Sequence, residues 1–217
     1  MLLRMPGVYR PQADTALLRS AFHHANLPPG GTVLDIGTGT GVMALTASRA
    51  GARTVTAVDI TRRAVLTARL NTWLHRARIT VHHGDALTVA AGTRYDIVLA
   101  NPPYVPTLDD STPHGPTHTW HGGPDGRTHV DRICTAAPDL LTPGGTLLMV
   151  HSALCDTDRT LTTLRDHGLK AAVVARARDP FGPVMHSRAH SMVAAGLLAP
   201  DDIDEELVVI RADLLVG

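Results

Sequence analysis

Cysteine is nearly missing from this 217-residue chain. Cys134 and Cys155 are isolated thiols with neither metal-type nor redox-type spacing. That pattern excludes a disulfide framework and makes a reducing cytoplasm the expected compartment. Aromatic residues are also scarce: Tyr9, Phe22, Trp73, Tyr95, Tyr104, Trp120 and Phe181 are all there are. They are too few for an extended platform on which nucleic-acid bases stack. No charge of one sign dominates, because 20 basic and 20 acidic residues balance to a formal net charge of zero. Proteins that grip bare nucleic acid through its phosphates usually carry a basic patch, so that class is disfavoured. Lys170 is the only lysine and most of the acids are Asp, which reads as coding bias in a GC-rich genome. Long apolar runs are missing, so no bilayer span is expected. The segment Met1 to Gly7 has no charged n-region and no long apolar core, and does not read as a signal peptide. There are no internal repeats.

What is present is a steady alternation of strand and helix patterns. Gln12 to Ala25 predicts a helix, with Ala16, Leu17, Ser20, Ala21 and His24 along one side, broken by Pro28-Pro29-Gly30-Gly31. Strands are predicted over Val33–Ile36, Thr54–Asp59, Ile79–His83, Tyr95–Ala100 and Thr146–His151. Between them lie helical patterns over Val42–Ala50, Arg62–His75 and His129–Leu141, with a further one over Asp156–His167. Lys170–Arg176 and Glu206–Ala212 read as an antiparallel hairpin at the sheet edge, and Asp201 to Glu206 as a solvated acidic turn before the last strand. Strands separated by helices imply βαβ units and a mostly parallel sheet. The expectation is an α/β protein: one domain over 1–217, with an N-terminal helix at 12–25, a ligand-binding half at 30–100 and a substrate loop at 101–128.

The most informative stretch is Asn101-Pro102-Pro103-Tyr104. It follows the apolar run Tyr95 to Ala100, and its prolines cannot continue a strand because they lack N–H donors and fix φ. The chain must leave the sheet there, at the carboxyl edge where open α/β sheets bind ligands. The Asn side chain offers a carbonyl acceptor and an amide donor. Tyr104 adds a flat face, so the site suits a planar nitrogen group. A strand-ending turn is the plainer reading of Asn-Pro. A second motif shifts the balance. Asp35-Ile36-Gly37-Thr38-Gly39-Thr40-Gly41 sits at a strand-to-helix junction. It differs from the dinucleotide pattern G-x-G-x-x-G and lacks the Gly-Lys-Ser/Thr of a Walker loop. An acid before the first glycine repels a pyrophosphate but can bind an ammonium. Asp59 ends the next strand, where an acid can take both ribose hydroxyls. Asp85, in Gly84-Asp85-Ala86 after the third strand, can accept from an adenine amino group. Together they describe a nucleoside with an amino-acid tail and no phosphates, which S-adenosylmethionine fits.

This order of motifs resembles class I S-adenosylmethionine-dependent methyltransferases, and the Asn101 to Tyr104 motif resembles their amino-methylating branch. The likeness is closest to the HemK-type protein glutamine N5-methyltransferases, which modify peptide release factors, in the short form without an N-terminal helical domain. Val8-Tyr9-Arg10-Pro11-Gln12-Ala13-Asp14-Thr15 is similar to the family's Val-Tyr-x-Pro-Ala-Glu-Asp-Thr, with Ala13 where the family has glutamate. His114-Gly115, Trp120 to Arg127 and Asp131-Arg132 are similar to its post-catalytic loop. The resemblance implies a Rossmann-like fold with a seven-stranded, mostly parallel sheet and helices on both faces. It implies cofactor contacts from Pro11, Asp14, Thr15, Asp35, Gly37, Thr38, Gly39, Gly41, Asp59, Ile60, Asp85, Ala86 and Asn101. Catalysis would fall to Asn101, Pro102, Pro103 and Tyr104, with Asn101, Pro102, Tyr104, His114 and Trp120 on the substrate. S-adenosylhomocysteine would be the product. A small zinc-binding activator subunit works with the short form in eukaryotes and archaea.

Other residues carry less. His114, His118 and His121, with His82-His83, lack a matching Cys or carboxylate pattern, so no metal site is expected. Arg127 and Asp131 fit a helix-surface ion pair or a tie holding the loop near the site. Three alternatives stay open: a small-molecule N-methyltransferase of specialised metabolism, an adenine-N6 nucleic-acid methyltransferase acting on a flipped base, and an inactive cofactor-binding subunit.

Overall fold

The computed structural model describes residues 2–25, 27, 29–106 and 122–216. Seven strands form one sheet in the order β3-β2-β1-β4-β5-β7-β6. In chain order these are β1 (Thr32–Ile36), β2 (Thr54–Asp59), β3 (Ile79–His83), β4 (Tyr95–Ala100), β5 (Leu141–Ser152), β6 (Leu169–Pro180) and β7 (Asp204–Leu214). The first five run parallel, whereas β7 is antiparallel to both β5 and β6. Alternation along each strand separates two apolar layers. Leu34 and Ile36 join Val98, Leu147 and Met149 on one face, covered by α5 (Thr128–Leu140) and α6 (Thr157–Asp166). Val33 joins Val55, Ile97, Leu99 and Leu148 on the other, covered by α1 (Ala13–His24), α2 (Val42–Arg49) and α3 (Arg62–Leu74). This is the expected α/β architecture with helices on both faces.

Four details differ from the sequence expectation. The buried side of α1 carries Asp14, Thr15, Leu18, Ala21 and Phe22, so the stripe is turned from the predicted one. Two of those residues are polar, and a search for apolar periodicity passes over them. A short helix, α4 (Ala86–Val89), follows β3, capped by Asp85, whose side chain accepts from the Thr88 N–H. The fifth strand, expected from Thr146, starts at Leu141 and runs through Pro143-Gly144-Gly145, where its pairing with β4 jumps from Tyr95↔Leu141 to Ile97↔Thr146. The last two strands pair antiparallel at the edge as expected, but a further helix, α7 (Pro183–Ala194), joins them, and each strand reaches further than predicted. α7 has little apolar periodicity of its own. Its Met185 and Met192 bury against Val105, Phe181 and Leu198, a contact made only in the fold.

This topology sets the site. β1 has β2 on one side and β4 on the other, so the connections diverge there and open a crevice at the carboxyl ends. Because β7 is antiparallel, its first residues come to the same edge: Ser152 at the end of β5 pairs with Leu207.

Candidate active site

A cleft of about 390 Å³ opens at that edge, within the range of small-molecule sites. The expected residues Pro11, Asp14, Thr15, Asp35, Gly37, Thr38, Gly39, Asp59, Ile60, Asp85, Ala86 and Asn101 to Tyr104 all line it. Gly41 does not. It starts α2 at φ +83, and a Cβ there would stand 3.3 Å from the Cβ of Ala68. Its glycine therefore serves the approach of α2 to α3. His114 and Trp120, with His118 and His121, lie outside the described residues.

The β1–β3 side holds three acids at three strand ends. Asp35 is buried and accepts from Thr38 Oγ1 at 2.6 Å and the Ala44 N–H at 3.0 Å. Burial still pushes its carboxyl up to about 7, against the pull of those donors. A carboxylate in that condition favours a cationic ligand. Asp59 accepts from the Gly39 N–H at 2.9 Å with one oxygen and from the Thr61 N–H and hydroxyl, each at 2.9 Å, with the other. It thereby ties the glycine turn to β2. Asp85 is also bound by Arg132 at 2.9 Å. The hydrogen bond and charge of Arg132 hold its carboxyl below the usual range against a desolvation cost that opposes them. Arg132 itself lines the cleft, so the Asp85 oxygens are already engaged. In the turn, Gly37 and Gly39 have φ +69 and +55. A Cβ on Gly37 would stand 3.7 Å from the Asn101 carbonyl oxygen, so the turn runs beside the end of β4.

The β4 side is held by α1. The Asn101 side-chain amide donates to Thr15 Oγ1 at 3.3 Å. That orientation directs its carbonyl oxygen away from Thr15. Tyr104 and Tyr9 both donate to Asp14 Oδ2, at 3.3 and 2.5 Å. Thr15 Oγ1 donates to the other Asp14 oxygen at 3.0 Å, and the Thr15 N–H donates there too. Burial, with Asp14 alongside, raises both tyrosine hydroxyls well above their ordinary value, so they remain donors. Asp14 and Thr15, expected on a cofactor, are thus engaged with the Asn101–Tyr104 segment.

The segment is fixed from below as well. The Cys155 thiol donates to the Tyr104 carbonyl at 3.1 Å. Gly126 packs so tightly that a Cβ would lie 2.2 Å from that carbonyl oxygen. Arg127 is 2% exposed, so of the two readings of Arg127 with Asp131 the tie, not the surface pair, describes it. Its guanidinium holds Asp131 at 2.5 Å, the carbonyls of Cys155 and Asp156, and Thr160 Oγ1 at 3.1 Å. This anchors the start of α5 behind the cleft. Sequence reading also missed Asp179 and Glu205, which line the cleft from the ends of β6 and β7. The acidic run 201–206 is not wholly solvated, because Glu205 is buried. The signal available was the period-two alternation through Glu205, Leu207 and Val209.

A parallel sheet with a glycine turn after its first strand, acids ending three strands and an Asn-Pro-Pro-Tyr exit defines a methyltransferase of the class I kind. The comparisons agree. The model of the methyltransferase small domain family matches residues 2–114. A Methanocaldococcus jannaschii relative, provisionally named protein N5-glutamine methyltransferase, is 32% identical over 83% of this chain and 90% of its own. The release factor glutamine methyltransferase of Geobacter sulfurreducens is 33% identical over 66% of this chain, and the match spans 53% of that protein's length. In fold, the chain is similar to the E. cuniculi Mtq2–Trm112 complex, described as responsible for methylation of the eRF1 termination factor. That match has a TM-score of 0.68 at 23% identity, over 95% of this chain and 98% of that one. The chain belongs to the methyltransferase small domain family and is an N-methyltransferase.

Proposed function

We propose that this chain transfers a methyl group from S-adenosylmethionine to the side-chain amide nitrogen of a glutamine in a peptide release factor. The observation that carries the reading is the pinning of Asn101 by Thr15 and of Tyr104 by Asp14 at the mouth of the crevice. A planar amide placed there meets acceptors for both its hydrogens, the Asn101 Oδ1 and the Pro102 carbonyl, while Tyr104 packs on its plane. The name of the Geobacter relative supports this acceptor, and that of the Methanocaldococcus relative supports a glutamine in a protein.

Bound S-adenosylmethionine would supply an electrophilic methyl group, and S-adenosylhomocysteine would leave. Asp35 would hold its ammonium, with the Gly37–Gly39 turn against the methionine chain. Asp59 would take the ribose hydroxyls, Asp85 and Ala86 the adenine, and Ile60 and Pro11 would add apolar contact. Asp35 fits this role physically, since a cation offsets the cost of its burial. An amide nitrogen is a poor nucleophile because its lone pair is delocalised. Acceptors that pull on its protons help localise charge on nitrogen as the new bond forms. Most of the acceleration then comes from alignment, with nitrogen and methyl about 3–3.5 Å apart.

A second subunit belongs to the same reading. The α3 residues Leu66, Leu70, Trp73 and Leu74 are exposed at 54, 41, 73 and 45%, and β3 is an edge strand. An apolar stripe beside an open edge suits a small activator protein. The test is transfer of labelled methyl to purified release factor, with metabolite amines and oligonucleotides as competing acceptors. Label on the release-factor glutamine is the expected result. Label on another acceptor, with none on the release factor whether or not an activator is added, would overturn the reading.

A further inference from the structure

The acceptor end of the cleft contains an arrangement the reading above does not use. Asp179 and Glu205 stand directly opposite each other across the antiparallel pair β6–β7. Like charges in that position are destabilising. Both line the cleft with Asn101 and Tyr104. Glu205 is only 8% exposed, and its buried Oε2 has no hydrogen-bond partner among the described residues. A buried carboxylate oxygen without a donor costs free energy that the fold does not recover. An arrangement doubly unfavourable to the empty protein points to a donor that arrives with the substrate.

We propose that Glu205 is the proton acceptor of the methyl transfer. The step rests on the N-methylation reading and extends it. The nitrogen electron pair forms the bond to the methyl carbon. The pair of the breaking carbon–sulfur bond stays on sulfur. The pair of one N–H bond returns to nitrogen, and its proton passes to the Glu205 carboxylate and later to solvent.

The groups around Glu205 set its proton affinity. Burial pushes its carboxyl up to about 7; Asp179 from β6 and Asp14 from α1 add to this, while the Ser152 hydroxyl at the end of β5 opposes it by hydrogen bonding. Burial holds the Tyr104 hydroxyl and the Cys155 thiol protonated, and the Glu205 charge acts in the same direction. A carboxyl near neutrality is suited to taking a proton at physiological pH and giving it up again.

Four measurements on Glu205→Gln and Asp179→Asn test this. Side-chain carboxyl NMR of the cofactor-free enzyme should show an aspartate, Asp35, and a glutamate titrating near 7, and the glutamate resonance is the one that reports Glu205. That resonance should vanish in Glu205→Gln and move to lower pH in Asp179→Asn. The turnover number at saturating cofactor should rise with pH through the same value, and Asp179→Asn should carry that limb to lower pH with it. Glu205→Gln should lose about 100-fold in turnover, with unchanged cofactor affinity. Above pH 7 it should melt no lower than the parent, because a carboxyl with a raised folded-state pKa loses its stabilising contribution as pH rises through that value. Wild-type turnover and pH limb in Glu205→Gln would overturn the inference, as would a limb that stays in place in Asp179→Asn. Absence of transfer to release factor by the parent enzyme, with or without an added activator, beside transfer to another acceptor would instead reject the acceptor reading, and this step with it.

Discussion

On the β1–β3 side of the cleft, each acid is answered close by in sequence. Asp35 meets Thr38 and Ala44, Asp59 meets Thr61, and Asp85 meets Thr88. On the β4–β7 side the partners are remote. Asn101 meets Thr15 at a separation of 86 residues and Tyr104 meets Asp14 at 90, while Asp179 faces another acid. The first side is built mainly from strand-end turns, with Gly39 on Asp59 and Arg132 on Asp85 as its longer-range ties. The second is assembled by tertiary packing and holds its carboxylates less comfortably. On the proposed function, binding and chemistry fall to different kinds of structure, and substitutions should separate them.

The largest separation is expected at Asn101. Asn101→Ala should lower methyl transfer about 10²–10³-fold, while calorimetry finds cofactor binding nearly intact. Asp59→Ala should do the reverse, weakening cofactor affinity about 10–100-fold through loss of hydrogen bonds to a charged acceptor. Equal losses of affinity in the two variants would erase the distinction between the sides.

The same contrast explains what could be read from the sequence. Asp35, Gly37, Gly39, Asp59 and Asp85 were legible because a strand pattern, a turn and an acid lie together within a few positions. The five parallel strands and the antiparallel edge pair were legible from periodicity. α7 was not, because the residues it buries answer Val105 and Phe181, which lie elsewhere in the chain. Nor was the work of Asp14 and Thr15, since nothing near them in sequence announces Tyr104 or Asn101. Arg127 left a surface pair and a loop tie both open, because its i+4 partner is visible in the sequence whereas Cys155, Asp156 and Thr160 are not. Glu205 was hidden by half-buried charged neighbours, Asp204 and Glu206, which pair with Arg178 and Arg176.

A pH series sharpens the contrast further. With Asp35 near 7, cofactor affinity should rise as pH climbs through that value and the carboxylate becomes available to an ammonium. It should fall again as the ligand's amino group deprotonates above about 8. Asp35→Asn should flatten the rising limb in a calorimetric titration, and a limb unchanged in that variant would detach Asp35 from the ligand. The smallest effect is expected at Tyr104→Phe. It removes one neutral donor from Asp14 and leaves the ring, so turnover should fall about 3–10-fold with cofactor affinity unchanged. A loss as large as that of Asn101→Ala would mean that the hydroxyl touches the acceptor itself.

The account stands or falls on the separation of binding from transfer at Asn101. The direct test is the cofactor dissociation constant of Asn101→Ala by titration calorimetry, measured on the same preparation whose transfer to release factor is assayed. The account predicts a constant matching that of the parent enzyme beside a collapse of transfer. Affinity lost in step with transfer would contradict it, and would make Asn101 a part of the cofactor site rather than the residue that presents the acceptor nitrogen.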